Sequence, residues 1–254
     1  MAVVLTLTGA LQAEPLTNWT KTTGSTAVVN DLNTGHPLFA NGNGTISAVL
    51  PESYSLADIG ASLSFSGEVT FTSTEVIPNQ QFRWGIFDSK GSSNDNGWAG
   101  YVLGNQSGTG NASVQMKSTP NSTSWSGNYT SISGEQITGG TSGNVNLTAD
   151  KYLFTLTMTR QESGLLVAWS LVSQNSSNAY SLNGSWLATG DDLVSDTYDR
   201  VTLQTTSGAK STSTQFSNLS VTYTAIPEPA TSAILGLGGA VVACGMLRRS
   251  LKEV

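Results

Sequence analysis

Carboxylates are the first residues to weigh for chemistry. Glu68, Glu75, Asp88, Asp95, Glu135, Asp150 and Glu162 are scattered singly along the chain. Glycoside hydrolysis needs two carboxylates facing one cleft, and acids on one strand share a face only at even spacings. Paired-acid catalysis would therefore have to combine different strands. The one acidic cluster is Asp191, Asp192, Asp196 and Asp199. Hard cations take several oxygen ligands, which makes this cluster a candidate Ca²⁺ site, as is Asp88 with Asn94, Asp95 and Asn96. Neither stretch has EF-hand spacing, and a solvated acidic loop is the competing reading.

The nucleophile chemistries have little to draw on. The single histidine, His36, sits beside Pro37 in a loop, and a Ser/His/Asp triad or most zinc sites would have to use it. The single cysteine, Cys244, lies in an apolar C-terminal run, so no disulfide can form upstream of it. Aromatic side chains offer another function. Trp98, Trp125 and Trp186, with Tyr101 and Tyr129, flank Gly/Ser/Asn loops. Their flat apolar faces are candidate sugar-stacking platforms. The competing reading is packing at the edge of the core. Trp84 and Trp169 alternate with polar residues along strands and belong inside.

The elements that must position these residues read as strands. Tyr152, Phe154, Leu156 and Met158 share one face, and Thr155, Thr157 and Thr159 the other. Leu63, Phe65, Val69 and Phe71 alternate across Gly67, which marks an expected bulge. Phe82, Trp84 and Ile86 alternate with Arg83, Gly85 and Phe87. Leu165, Val167, Trp169 and Leu171 follow, then Leu219, Val221 and Tyr223. Gly/Asn/Ser turn signals separate these runs, as in Asn41-Gly42-Asn43-Gly44. No helical period precedes residue 230, apart from one candidate turn over residues 55–59. The pattern predicts an all-β antiparallel sandwich.

Composition sets the company the chain keeps. Charged residues make up 11 %, hydrophobic residues 38 %, and the net charge is −6. Ser and Thr supply about a quarter of the chain. Between residues 14 and 229, sixteen acidic residues face eight basic ones. Nucleic acid, which needs a basic footprint, is excluded as a partner. A polar, weakly charged surface fits an exported β protein. Residues 2–13 read as the apolar core and cleavage site of a secretory signal without its basic start, so residues 1–13 are a signal peptide truncated at its start. A first apolar strand of the sandwich is the alternative.

The C-terminus has three parts. Pro227-Glu228-Pro229 is stiff and extended, because proline fixes its own φ and restricts the residue before it. Residues 230–247 form an uncharged apolar run, long enough as a helix to cross a bilayer. Arg248 and Arg249 then act as a membrane stop on the cytoplasmic side. A buried core helix is the alternative, but it would lack a helical partner.

This tail, residues 226–254, resembles the PEP-CTERM sorting signal of exported bacterial proteins. The resemblance implies recognition by an exosortase, a membrane cysteine transpeptidase, with cleavage near Pro227-Glu228-Pro229. It also implies an inner-membrane stage followed by delivery to the cell surface or extracellular matrix. Residues 14–225, through Ser62-Leu63-Ser64-Phe65, Phe82-Arg83-Trp84-Gly85-Ile86-Phe87, Gly97-Trp98-Ala99-Gly100-Tyr101 and Phe216-Ser217-Asn218-Leu219-Ser220-Val221, resemble PEP-CTERM ectodomains. The resemblance implies a concanavalin A-like or laminin G-like jelly roll and carries over no catalytic residue. Glycosidases of that fold carry Glu-x-Asp-x-x-Glu, which this chain lacks. The expectation is a non-catalytic structural or adhesive envelope protein with no bound cofactor beyond the candidate Ca²⁺. A carbohydrate-binding, lectin-like module with extracellular polysaccharide as partner is the alternative, and a glycoside hydrolase ranks third.

Overall fold

A computed structural model describes residues 13–22, 28–42, 44–73, 82–93, 95–105, 112–117, 130–131, 147–177, 180–205 and 211–226. The described strands are, in chain order, β1 (Ala13–Pro15), β2 (Trp19–Lys21), β3 (Val29–Asn30), β4 (Leu38–Phe39) and β5 (Gly44–Ser55). Next come β6 (Ser62–Thr72), β7 (Phe82–Asp88), β8 (Ala99–Asn105), β9 (Ala112–Lys117) and β10 (Thr130–Ser131). The series ends with β11 (Lys151–Gln161), β12 (Gly164–Ser173), β13 (Ser181–Ala188), β14 (Thr197–Thr205) and β15 (Ser213–Thr224). They form two sheets. The first runs β13-β12-β11-β6-β15-β4-β3, with β1 also paired to β15, and the second runs β10-β9-β8-β7-β14-β5-β2. Each described pairing is antiparallel, for example β11 with β6 and β14 with β7.

Alternation along the strands builds the core between the sheets. Tyr152, Phe154, Leu156 and Met158 of β11 are fully buried, as are Phe82, Trp84 and Ile86 of β7. Leu165, Val167, Trp169 and Leu171 of β12 are buried too. Phe82 of the second sheet meets Phe154 of the first edge-on at 5.3 Å and stacks on Trp84 at 5.0 Å. Such aromatic pairs add about 0.5–1.5 kcal/mol beyond area burial. The Trp84 indole N–H donates to the Thr155 carbonyl across the sheets at 2.9 Å, so its polar atom does not go unsatisfied.

The outward face of the first sheet is hydroxylated. Thr155 faces Ser170 at 2.8 Å, Thr157 faces Ser64 at 2.9 Å, and Thr159 donates to Ser62 at 3.2 Å. Each such cross-strand pair is worth about 0.2–1 kcal/mol.

Two expectations shift. Gly67 stays in continuous register with Phe154, so the strand that carries it has no bulge there. The bulge lies opposite, in β15, where Asn218 and Leu219 face the single Gly67 between the Ser217–Glu68 and Ser220–Ser66 pairs. Asn218 takes φ 53°, in the left-handed region that Asn tolerates better than most residues. Residues 55–59 form no helical turn, because Ser55 completes β5 and the chain then reverses with the Ala61 N–H donating to Asp58 O at 3.0 Å. The expected membrane helix at 230–247 and signal residues 1–12 lie outside the described residues. Among the described residues no helix is long and apolar enough to cross a membrane.

Candidate functional site

The outer face of the second sheet carries the candidate site. Thr20 of β2 lies opposite Ser47 of β5, and Ser47 lies opposite Thr202 of β14. Thr20 Oγ1 donates to the Ser47 carbonyl at 3.2 Å. Arg200 reaches this face because β14 breaks phase. Its register to β5 slips between Tyr198 and Arg200, so buried Tyr198 and buried Val201 are three residues apart. Regular alternation resumes at Val201 and Leu203, which leaves Arg200 and Thr202 pointing outward.

The connection between β7 and β8 folds over this face. Its 3₁₀ turn, Asp95–Gly97, leads into Trp98. Trp98 is 4 % exposed and packs with Phe87 and Val102 in a small second core outside the sheet. The Phe87 and Trp98 rings lie 6.1 Å apart, and the indole N–H donates to the Ser92 carbonyl at 3.1 Å. Asp199 ties the connection down by accepting from the Ser89 N–H at 2.8 Å and the Ser89 hydroxyl at 2.6 Å. Asp88 does the same at the strand end, accepting from Ser195, from Thr197 at 3.2 Å and from the Lys90 ammonium at 2.9 Å. Burial opposes ionisation of Asp88, but the hydrogen bonds from Ser195 and Lys90 outweigh it and hold the carboxyl below its ordinary range.

Between this connection and β2 lies a cleft of about 210 Å³. Thr20, Lys21, Thr22 and Ser47 line one side, Ser93, Asp95 and Trp98 the other, and Arg200 lies between them. The Arg200 guanidinium sits 5.7 Å from the Trp98 ring centroid, a cation–π arrangement. Its Nε lies 3.9 Å from Asp199 and, though buried, has no hydrogen-bond partner among the described residues. The buried Thr202 hydroxyl two residues along is likewise unpartnered. Each unmade bond of this kind costs about 1–3 kcal/mol unless water or a ligand fills it.

The residues singled out in the sequence are dispersed. Trp98 is covered, by Phe87 on its flank and by Arg200, so its face is not open to a sugar. Trp186 of β13 turns toward the core and meets Tyr101 edge-on at 6.0 Å. Trp125 lies outside the described residues, as do Asn94, Pro227, Glu228, Pro229, Arg248, Arg249 and Cys244. Asp196 pairs with Arg160 at 2.7 Å, Asp199 holds Ser89, and Asp191 and Asp192 sit on the 3₁₀ turn Gly190–Asp192. The candidate Ca²⁺ cluster therefore does not converge, because two of its four carboxylates are taken by separate protein partners. Among the described residues no three His, Cys, Asp or Glu side chains come together to hold a metal. His36 is exposed. Arg200 and Lys21 were not legible as site residues in the sequence. The only trace of Arg200's position there is the three-residue spacing from Tyr198 to Val201.

No protein-family model matches the chain. No curated protein matches it. Among solved structures it is similar to the basic winged bean lectin crystallised with Tn-antigen, at 8 % identity and TM-score 0.49, over 86 % of this chain and 93 % of that one. It is similar to the carbohydrate-binding module CBM66 from Bacillus subtilis, at 10 % identity and TM-score 0.41, over 82 % of this chain and 96 % of that one. It is also similar to the metal-free Emp46p carbohydrate recognition domain, at 12 % identity and TM-score 0.44, over 80 % and 87 %. Likeness at this level carries no inference about a ligand or a site.

Proposed function

We propose that this chain is an exported cell-envelope protein whose sandwich, a concanavalin A-like jelly roll, binds saccharide and performs no chemistry on it. The observation that carries the reading is the cleft on the outer face of the second sheet. It gathers a guanidinium, an ammonium, a carboxylate and several hydroxyls around one small space. Sugar hydroxyls both donate and accept, so a site of mixed donors and acceptors suits them. The volume is below the ~300–1,000 Å³ usual for small-molecule pockets, which favours one unit of a longer chain over a large cofactor. Asp95 is the one carboxylate lining the cleft, whereas glycoside hydrolysis uses two, and this supports binding over cleavage. The lectins and binding module named above are consistent with the reading and do not carry it.

The termini supply the address. Residues 1–13 would export the chain. The run 230–247 with Arg248 and Arg249 would hold it in the inner membrane until an exosortase cuts near Pro227-Glu228-Pro229. Extracellular polysaccharide is then the candidate partner at the cell surface or in the matrix.

The test has two arms. The full chain, purified in detergent, is applied to a glycan array, and its Glu228→Ala variant is fractionated between membrane and medium in an exosortase-bearing host. Retention of a defined saccharide class and membrane retention of the unprocessed variant are expected. A chain that retains no glycan is a purely structural sandwich. A variant released like the parent ends the sorting reading.

A further inference from the structure

We infer that the cleft takes an acidic saccharide, with the sugar's carboxylate bound by Arg200 and Lys21. The inference rests on the saccharide-binding reading and names the ligand class of the same site.

Arg200 carries the argument. Three arginines lie among the described residues, and the other two are engaged: Arg160 holds Asp196 at 2.7 Å and Arg83 donates to Gln204 at 3.3 Å. Arg200 makes no hydrogen bond among the described residues, and its Nε is buried. The nearest carboxylate, Asp199, stands 3.9 Å from Nε, beyond hydrogen-bond distance, and its two oxygens accept from Ser89. The cation–π contact with Trp98, 5.7 Å to the ring centroid, uses none of the guanidinium's N–H donors. Arg200 lines the cleft, and its two terminal amino groups are the donors left for a ligand. A carboxylate matches the guanidinium fork with two parallel charge-assisted hydrogen bonds.

The other charges agree with this division of labour. Lys21 lines the cleft and makes no ion pair among the described residues. Asp95, on the connection opposite, is the cleft's one anion and suits a sugar hydroxyl as acceptor. Thr20, Thr22 and Ser47 add hydroxyls along the β2 side. A bare anion would meet only the two cations, whereas a sugar ring bearing a carboxylate also meets the hydroxyl oxygens of Thr20 and Thr22, which donate to Ser47 and Thr45 and keep capacity to accept. The molecule carries a net charge of −6, so its long-range field repels anions. Affinity for an acidic chain must then arise from contact in the cleft and not from general attraction.

The full chain in detergent is titrated calorimetrically with hexuronate oligosaccharides, with neutral oligosaccharides of the same length, with sulfated oligosaccharides, and with acetate. Hexuronates should bind at least about tenfold more tightly than neutral chains, the loss expected for one charge-assisted hydrogen bond. Arg200→Gln should erase that preference, and Arg200→Lys should restore only part of it because an ammonium lacks the fork. Lys151→Gln on the other sheet removes the same charge and should leave the preference intact. Circular dichroism and the melting curve establish that each variant is folded. Neutral chains bound as tightly as hexuronates, regardless of Arg200, would overturn the inference and leave the saccharide reading standing. Sulfated chains preferred over hexuronates would overturn the carboxylate assignment. Acetate bound as tightly as hexuronate would reduce the site to an anion hole and overturn it. No binding of any saccharide would overturn both readings together.

Discussion

At the scale of single residues, close approach decides what fits. Gly67 lies where the bulge of β15 pushes Leu219 against β6, and a Cβ there would stand 2.5 Å from Leu219 and 2.9 Å from Phe154. Gly67→Ala therefore overpacks the core, at a cost of about 1–3 kcal/mol. A fall of several degrees in Tm, read by circular dichroism, is expected, since 1 kcal/mol shifts a domain of this size by about 2–4 °C. An unchanged Tm would mean that Leu219 and Phe154 can move aside freely. The same glycine illustrates what sequence can reveal. Its place between two apolar pairs announces an irregularity, but not which strand carries the extra residue. That depends on the register with β15, about 150 positions further along.

At the scale of elements, the connection between β7 and β8 is the least local piece of the site. Asp199, from β14, holds it through the Ser89 N–H and hydroxyl. Hydrogen bonds to a charged acceptor contribute about 1.5–3 kcal/mol, enough to keep a short exposed connection closed. Asp199→Ala should raise amide hydrogen exchange over residues 89–98 and leave β6 and β11 protected. Equal protection in both proteins would show that Trp98 packing alone holds the connection. Asp199 was grouped in the sequence with Asp191, Asp192 and Asp196 as a cation cluster. The fold separates it from them because the phase break at Tyr198–Arg200 turns it toward Ser89.

At the scale of the whole molecule, the carboxyl and phenol groups set the pH window of stability. The hydrogen bond from Lys151 holds Glu68 below its ordinary range, against burial and with help from Ser217. Asp88 is held low as well, where burial is outweighed by Ser195 and Lys90. A depressed carboxyl stabilises the fold above its unfolded pKa near 4, and that stability is lost as pH falls through the folded value. Burial pushes the Tyr101 phenol up to about 12, and burial together with Glu14 pushes Tyr54 up to about 12. A raised phenol leaves stability intact below the unfolded pKa near 10, and stability falls as pH climbs from there toward 12. Tm should thus form a plateau with an acid limb below about pH 4 and an alkaline limb above about pH 10. Asp88→Asn should reduce the first limb, leaving the share of Glu68, and Tyr101→Phe the second, leaving the share of Tyr54. Limbs that do not respond to these variants would place the titrating groups elsewhere.

The all-β class and the inward faces of β7, β11 and β12 were readable from residue order alone. Period-two alternation is a local rule, imposed by the pleat on neighbours two apart, and Phe82-Trp84-Ile86 and Tyr152-Phe154-Leu156-Met158 obey it. The cleft was not readable. It joins Thr20, Ser47, Asp95, Trp98 and Arg200, which meet only because β14 pairs with β5 on one side and β7 on the other. Sheet order and register are settled by burying all the apolar faces at once, and no window of sequence contains that competition. Trp98 shows the difference. Its type and loop setting left both a sugar platform and packing at the edge of the core open, and long-range pairing decided for packing by placing Phe87 and Arg200 against it.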